Sequence, residues 1–173
     1  SSYAYRPEME IIQIDGTPNY RIAVVTGAAD GSVAFFGTEI SIFDVDVNGD
    51  VIAGSLKLIQ LNDSPESANP RVRPKGIEFS PNAEYIYVTH NPTSLYPHSF
   101  EYAQISNVLP GTNIIELLPV PAITLSESLD FQYSQIEVAD GGKLFAPTGN
   151  RLAYLADANN PISTWVNFYR PLN

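Results

Sequence analysis

Asp44-Val45-Asp46-Val47-Asn48-Gly49-Asp50 is the local pattern in this chain with the most direct chemical meaning. Its D-x-D-x-N-G start imitates a calcium loop, in which carboxylates at alternating positions surround the ion and Gly makes the sharp turn. The calcium ligands would be Asp44, Asp46, Asn48 and Asp50. Ile52 stands at the ninth position and Ser55 at the twelfth, where a calcium loop carries its bidentate Glu. Phe43, Val45 and Val47 alternate with the two aspartates as in a strand with one buried face. Asn48-Gly49 is the preferred dipeptide of a two-residue type I′ hairpin. The simpler expectation is a plain hairpin and no cofactor, with calcium as the alternative.

His90 and His98 flank Asn91-Pro92-Thr93-Ser94-Leu95-Tyr96-Pro97, a stretch with loop character. Two imidazoles with Glu101 can supply a zinc or catalytic cluster, although two scattered histidines need no such role. Paired carboxylates such as Glu8 and Glu10 have the composition of a glycosidase pair, but chance proximity is expected among 19 acids. A metal-dependent hydrolase would require acids such as Glu78 and Glu137 to converge with a histidine. G-x-S-x-G, H-E-x-x-H, Walker and G-x-G-x-x-G signatures are missing. Cysteine is absent, which excludes thiol nucleophiles, disulfides and Cys-ligated metals. A binding surface is the other option. Tyr96, His98 and Phe100 form one aromatic group, and Trp165 leads another near Phe168 and Tyr169. Exposed aromatics anchor protein or sugar partners; buried, they pack one sheet on the next.

These residues must be carried by strands. The chain has 173 residues, 14 prolines and 11 glycines spread along its length, with short runs of Val, Ile, Tyr and Phe between them. No stretch keeps a helical period, so the class is all-β. Three segments repeat at about 60 residues: 14–26, 79–89 and 138–148. Each reads as a strand end, a polar turn and a strand ending near Thr. Ser80-Pro81-Asn82 and Asp140-Gly141-Gly142 supply two of the turns, where Asn, Asp and Gly tolerate left-handed backbone. The units, about 8–61, 74–125 and 130–170, each accommodate four strands, the last of the first two units being expected near 51–61 and 114–123. The expected fold is a single partial β-propeller of three four-stranded antiparallel blades, with a β-sandwich as the alternative. The proline-rich 62–74 stretch reads as a surface loop between the first two units.

Lys and Arg number 9 against 19 Asp and Glu, a formal charge of −10, so nucleic acid and anionic membrane are poor partners. No run of 18 apolar residues is present to span a bilayer as a helix. The first seven residues carry no apolar signal core, which is compatible with a removed leader.

Gly76-Ile77-Glu78-Phe79-Ser80-Pro81, followed by Tyr85-Ile86-Tyr87-Val88, resembles the opening of a blade in bacterial seven-bladed propellers. Phe100-Glu101-Tyr102, the run from Gln135 to Ala146 and Tyr154-Leu155-Ala156-Asp157-Ala158-Asn159-Asn160-Pro161 are similar to secreted propellers of gliding, type IX-secreting bacteria. The resemblance covers residues 74–162. It departs at Ala139, where that pattern has Gly-Pro, and at Glu101-Tyr102-Ala103, which lacks its Asp. It implies a propeller fold and a secreted or cell-surface location, and it carries no catalytic residue. Three blades do not close a ring. The expected role is therefore a non-enzymatic scaffold or interaction segment, completed by further blades of the same polypeptide or by a partner chain. The alternatives are a carbohydrate-binding propeller and a metal-dependent lactonase- or glycosidase-like hydrolase.

Overall fold

The computed structural model describes residues 8–26, 39–60, 74–90, 100–120, 136–148 and 151–168. Twelve strands are present among them: β1 (Met9–Gln13), β2 (Tyr20–Thr26), β3 (Glu39–Val45), β4 (Lys57–Gln60), β5 (Pro74–Phe79), β6 (Tyr85–His90), β7 (Phe100–Gln104), β8 (Leu118–Pro119), β9 (Glu137–Ala139), β10 (Lys143–Thr148), β11 (Arg151–Leu155) and β12 (Trp165–Phe168). They form three four-stranded sheets, β1–β4, β5–β8 and β9–β12, each with its strands in chain order. All neighbours pair antiparallel, as short connections require. The fold is thus an open, propeller-like stack of three sheets. Among the described residues no helix is long and apolar enough to cross a membrane.

Side-chain alternation decides which faces meet. In β3, Ile40 and Ile42 are buried while Ser41 and Phe43 on the other face are half-buried. Ala23, Val25, Ile40, Ile42 and Ile59 of the first sheet pack on Ile77, Phe79, Ile86, Val88 and Ala103 of the second. The opposite face of the second sheet presents Tyr87 and Phe100, flanked by Tyr85 and Tyr102. It packs on Leu144, Ala146 and Leu155 of the third, with Val138 and Trp165. We call the face turned to the preceding sheet the back and the other the front. The middle sheet is covered on both, which is why Ile86, Tyr87 and Val88 are buried in succession. Burying each such side chain contributes about 1.5–3 kcal/mol. The inner strands follow one another, β1 beside β5 and β5 beside β9.

Polar links cross the same contacts. The Tyr87 hydroxyl, on the second sheet, donates to the Ala158 carbonyl beyond β11 at 2.8 Å. The Asn82 N–H donates to Asn159 Oδ1 at 2.9 Å. At the outer rim, Leu58 N–H donates to the Asn113 carbonyl and Ile115 N–H returns to the Leu58 carbonyl, both at 2.8 Å. The 107–115 loop thereby covers part of the β4 edge, where open ladder groups would invite association. Tyr87→Phe leaves the buried Ala158 carbonyl without its hydroxyl donor. It is expected to cost about 1–2 kcal/mol, read as a lower urea midpoint at unchanged slope.

Four local expectations change. The expected strand at 51–61 is shortened to β4, because residues 51–56 turn outward after a single Val45–Val51 bridge. The expected strand at 114–123 gives only β8 within the described residues, with Ile114 and Ile115 instead bridging Leu58 and Val108. The turn at Asn48-Gly49 is not type I′, which needs φ > 0 at both central residues: Gly49 has φ +88° and Asn48 is not among the positive-φ residues. Asp46 imposes the shape, its Oδ1 accepting the N–H of Asn48 at 2.8 Å and of Asp50 at 3.0 Å. In the second unit the left-handed residue is Ala83, φ +56°, rather than Asn82.

Candidate functional site

The inner strands bring four glutamates from distant parts of the chain into one electrostatic neighbourhood. Glu10 lies on β1, Glu78 on β5 and Glu137 on β9, and Glu8 immediately precedes β1. The hairpin registers make Glu78 and Glu137 equivalent. Glu78 opposes Tyr87 across its hairpin and Glu137 opposes Phe145. Glu10 lies two residues before Ile12, which holds the matching place opposite Arg21 in the first sheet. One equivalent position on β5 and β9, with Glu10 two residues earlier on β1 and Glu8 just before that strand, thus gathers carboxyls along the stacked inner edges.

The surroundings of Glu8, Glu10 and Glu78 favour the neutral acid. Burial, then the Glu10 and Glu137 carboxylates, push Glu78 up to about 8, against the opposing N–H bonds from Phe79 and Val138. Burial and Glu10 raise Glu8 to about 7, opposed by the Ile77 N–H, which donates to Glu8 Oε2 at 3.1 Å. Burial and then Glu137 also raise Glu10. Carboxyls that stay protonated near neutrality can donate a hydrogen bond or a proton, and fewer charges then repel one another.

The four residues of the calcium-like pattern are spoken for by protein groups or exposed. The Asp44 carboxylate receives Arg21 Nε at 2.7 Å and Nη2 at 3.0 Å. Asp46 is closed into its own turn, and Asn48 Nδ2 donates to its second oxygen at 3.3 Å. Asn48 and Asp50 are exposed. Ser55 ties the loop from the other side: its Oγ accepts the Asp44 N–H at 3.0 Å and donates to the Ile52 carbonyl at 2.7 Å. Among the described residues no group of three or more His, Asp or Glu is placed to hold a metal ion.

Of the aromatic group, Tyr96 and His98 lie outside the described residues, as does the side chain of His90. Phe100 is buried at the start of β7, stacked with Tyr87 at 5.9 Å and edge-on to Trp165 at 5.1 Å. Phe100 and Trp165 therefore sit in the packing between the second and third sheets. Sequence inspection named all four glutamates, but only as a pair at 8 and 10 and as acids at 78 and 137. The repeat register is the signal that joins Glu78 to Glu137.

No family model matches the chain, and no curated protein matches it. Among solved structures the chain is similar to a luciferin-regenerating enzyme, at 13% identity and a TM-score of 0.42. The match covers 94% of this chain and 48% of that one, so this chain spans about half of the other's length.

Proposed function

We propose that this chain is a non-enzymatic scaffold and interaction segment of a secreted or cell-surface propeller protein, its three sheets completed by further blades or by a partner chain. The observation that carries the reading is the back of the first sheet. Met9 is 62% exposed, Ile11 56% and Tyr20 38%. Ile22, Val24 and Phe43 lie half-buried beside them on the same face. Every other sheet back in the stack is covered by the front of the sheet before it. A contiguous apolar face of this kind on a soluble chain marks a contact surface. The blade motifs within residues 74–162 and the net charge of −10 support an extracellular setting. The carbohydrate alternative depends on exposed aromatics, and Phe100 and Trp165 are engaged between sheets.

The test is binding of an apolar-surface dye. The chain is expected to enhance the dye's fluorescence, and Met9→Lys with Ile11→Lys to reduce the signal by half or more at an unchanged melting temperature. Both positions point outward, so charge there does not disturb the core. A monodisperse monomer that leaves the dye dark overturns the reading.

A further inference from the structure

The tip of the β3–β4 connection carries a reactive pair of residues. Asn48-Gly49 is the one Asn-Gly step in the chain. The side-chain amide of an asparagine is open to attack by the backbone nitrogen of the residue that follows it. Glycine there is the most permissive follower, because it has no Cβ to obstruct the approach. Asn82 precedes Ala83, and Asn107 and Asn113 precede the β-branched Val108 and Ile114, whose side chains crowd the same path. Asn48 and Gly49 are both exposed. Beyond the chain neighbours of Gly49, no heavy atom lies within 4 Å of where a Cβ on it would stand, so a five-membered ring has room to form there.

The folded turn nevertheless engages both reacting groups. The Gly49 nitrogen, the nucleophile, donates its N–H to the Asp46 carbonyl at 3.0 Å. Asn48 Nδ2, the leaving group, donates to Asp46 Oδ2 at 3.3 Å, which turns the amide toward the preceding residues. Asp46 Oδ1 fixes the backbone between them through the N–H groups of Asn48 and Asp50. One residue thus occupies nucleophile and leaving group together. These bonds are local and exposed, so the tip opens at a small fraction of the cost of global unfolding.

We infer that Asn48 is a site of spontaneous deamidation and that Asp46 guards it, so that modification proceeds from the opened turn. In the step, the Gly49 nitrogen attacks Asn48 Cγ. The N–Cγ bond forms, the Cγ–Nδ2 bond breaks, and the proton lost from the Gly49 nitrogen ends on the departing ammonia. Water then adds to the succinimide. Opening the ring at the N–Cγ bond leaves an aspartate at this position. Opening it at the backbone carbonyl leaves an isoaspartate, with the main chain running through the side-chain carbon. Either product makes the chain one charge more negative than −10. Either also removes the amide donor to Asp46 and sets a second carboxylate beside it. Like charges so close repel, so the turn that shielded the amide is weakened by its loss.

Peptide-map mass spectrometry on the full chain, held in mildly alkaline buffer, tests this, with isoaspartate scored by fragmentation. In the folded wild type Asn48 is expected to react slowly. Asp46→Ala should speed the reaction about tenfold or more, as the loss of one bond to a charged acceptor would do. In strong urea both chains should react at one common, faster rate, since no turn remains to hold the groups. Gly49→Ala should suppress the reaction in either state. Asp46→Asn serves where Asp46→Ala does not fold: it keeps an oxygen for the backbone N–H groups but meets the Asn48 amide with a second donor, and it should also speed the reaction. Equal rates in folded wild type and the Asp46 variants overturn the inference. So does a wild-type rate that urea leaves unchanged, which would mean that the turn gives no protection. So does another asparagine that reacts faster than Asn48 in the unfolded chain.

Discussion

Raising the pH from about 5 to about 9 lowers the melting temperature of this protein, and Glu78→Gln removes much of the loss. The direction follows from proton counts. Glu78 titrates near 8 in the folded chain, against an ordinary value of 4.5. Between those values the folded state holds a proton that the unfolded state has released, so stability falls as pH rises. Below the ordinary value both states are protonated and the group contributes nothing. Above about 8 both are ionised and the full penalty applies, because the folded carboxylate is desolvated and faces Glu10 and Glu137. Glu8 acts in the same direction over a narrower window, ending near 7. Asp46 works oppositely. The N–H groups of Asp50 and Asn48 hold its carboxyl below its usual value, so its contribution is lost as pH falls. Stability therefore peaks in mild acid. A shift like that of Glu78 in a fully buried group would be worth several kcal/mol. Screening at a partly exposed carboxyl reduces it to about 1–2 kcal/mol, or roughly 2–8 °C in a domain of this size. Glu78→Gln keeps the shape and removes the charge. It is expected to match wild type near pH 5 and exceed it near pH 9 in thermal unfolding followed by far-UV circular dichroism. Parallel pH profiles for the two proteins would show that Glu78 is not the titrating group.

The architecture was legible where alternation and turn chemistry agree. The strands at Tyr20–Thr26, Tyr85–His90 and Lys143–Thr148 each follow a polar turn and match the repeat closely. Strand ends were legible less well where a side chain competes with the ladder. The Asp46 carboxylate takes the N–H groups that a two-residue hairpin would use, and Asn48-Gly49 becomes part of a wider turn. Pro119 limits pairing in the strand it occupies. The glutamate row was legible only in pieces. Glu78 and Glu137 are 59 positions apart and Glu10 lies 68 before Glu78, so nothing local links them. Their meeting follows from hairpin register and from the order of the inner strands, both tertiary facts. The first repeat shows why the register matters. Thr26 and Thr89 align by residue type, yet the hairpins equate Tyr20 with Ile86, each opposite the last residue of its inner strand. That equivalence decides which face of the first sheet is its back.

Arg21 is the residue whose loss is expected to cost the most among the polar links. It makes three bonds, two within the first sheet and one to the second. Nε and Nη2 grip the Asp44 carboxylate at 2.7 and 3.0 Å, and Nη1 reaches the Ala83 carbonyl in the β5–β6 turn at 2.5 Å. The two charged side chains are only 15% and 20% exposed. Removing one leaves the other desolvated and unpaired, the situation in which breaking an ion pair costs about 3–5 kcal/mol. Residual solvent contact places Arg21→Ala near the low end, about 2–3 kcal/mol, or roughly 4–12 °C. Arg21→Lys rescues little, because an ammonium cannot hold both carboxylate oxygens and the carbonyl in one plane. Arg21→Met with Asp44→Leu is expected to recover at least half of the loss, since no unpaired charge then remains. A double variant no better than Arg21→Ala would mean that the lost Arg21 bonds themselves, rather than an isolated charge, account for the destabilisation. Hydrogen exchange separates this local effect from general destabilisation. Arg21→Ala should speed exchange in β1–β4 more than in β9–β12, because the first sheet loses an anchor to the second while the Tyr87–Ala158 link to the third is untouched.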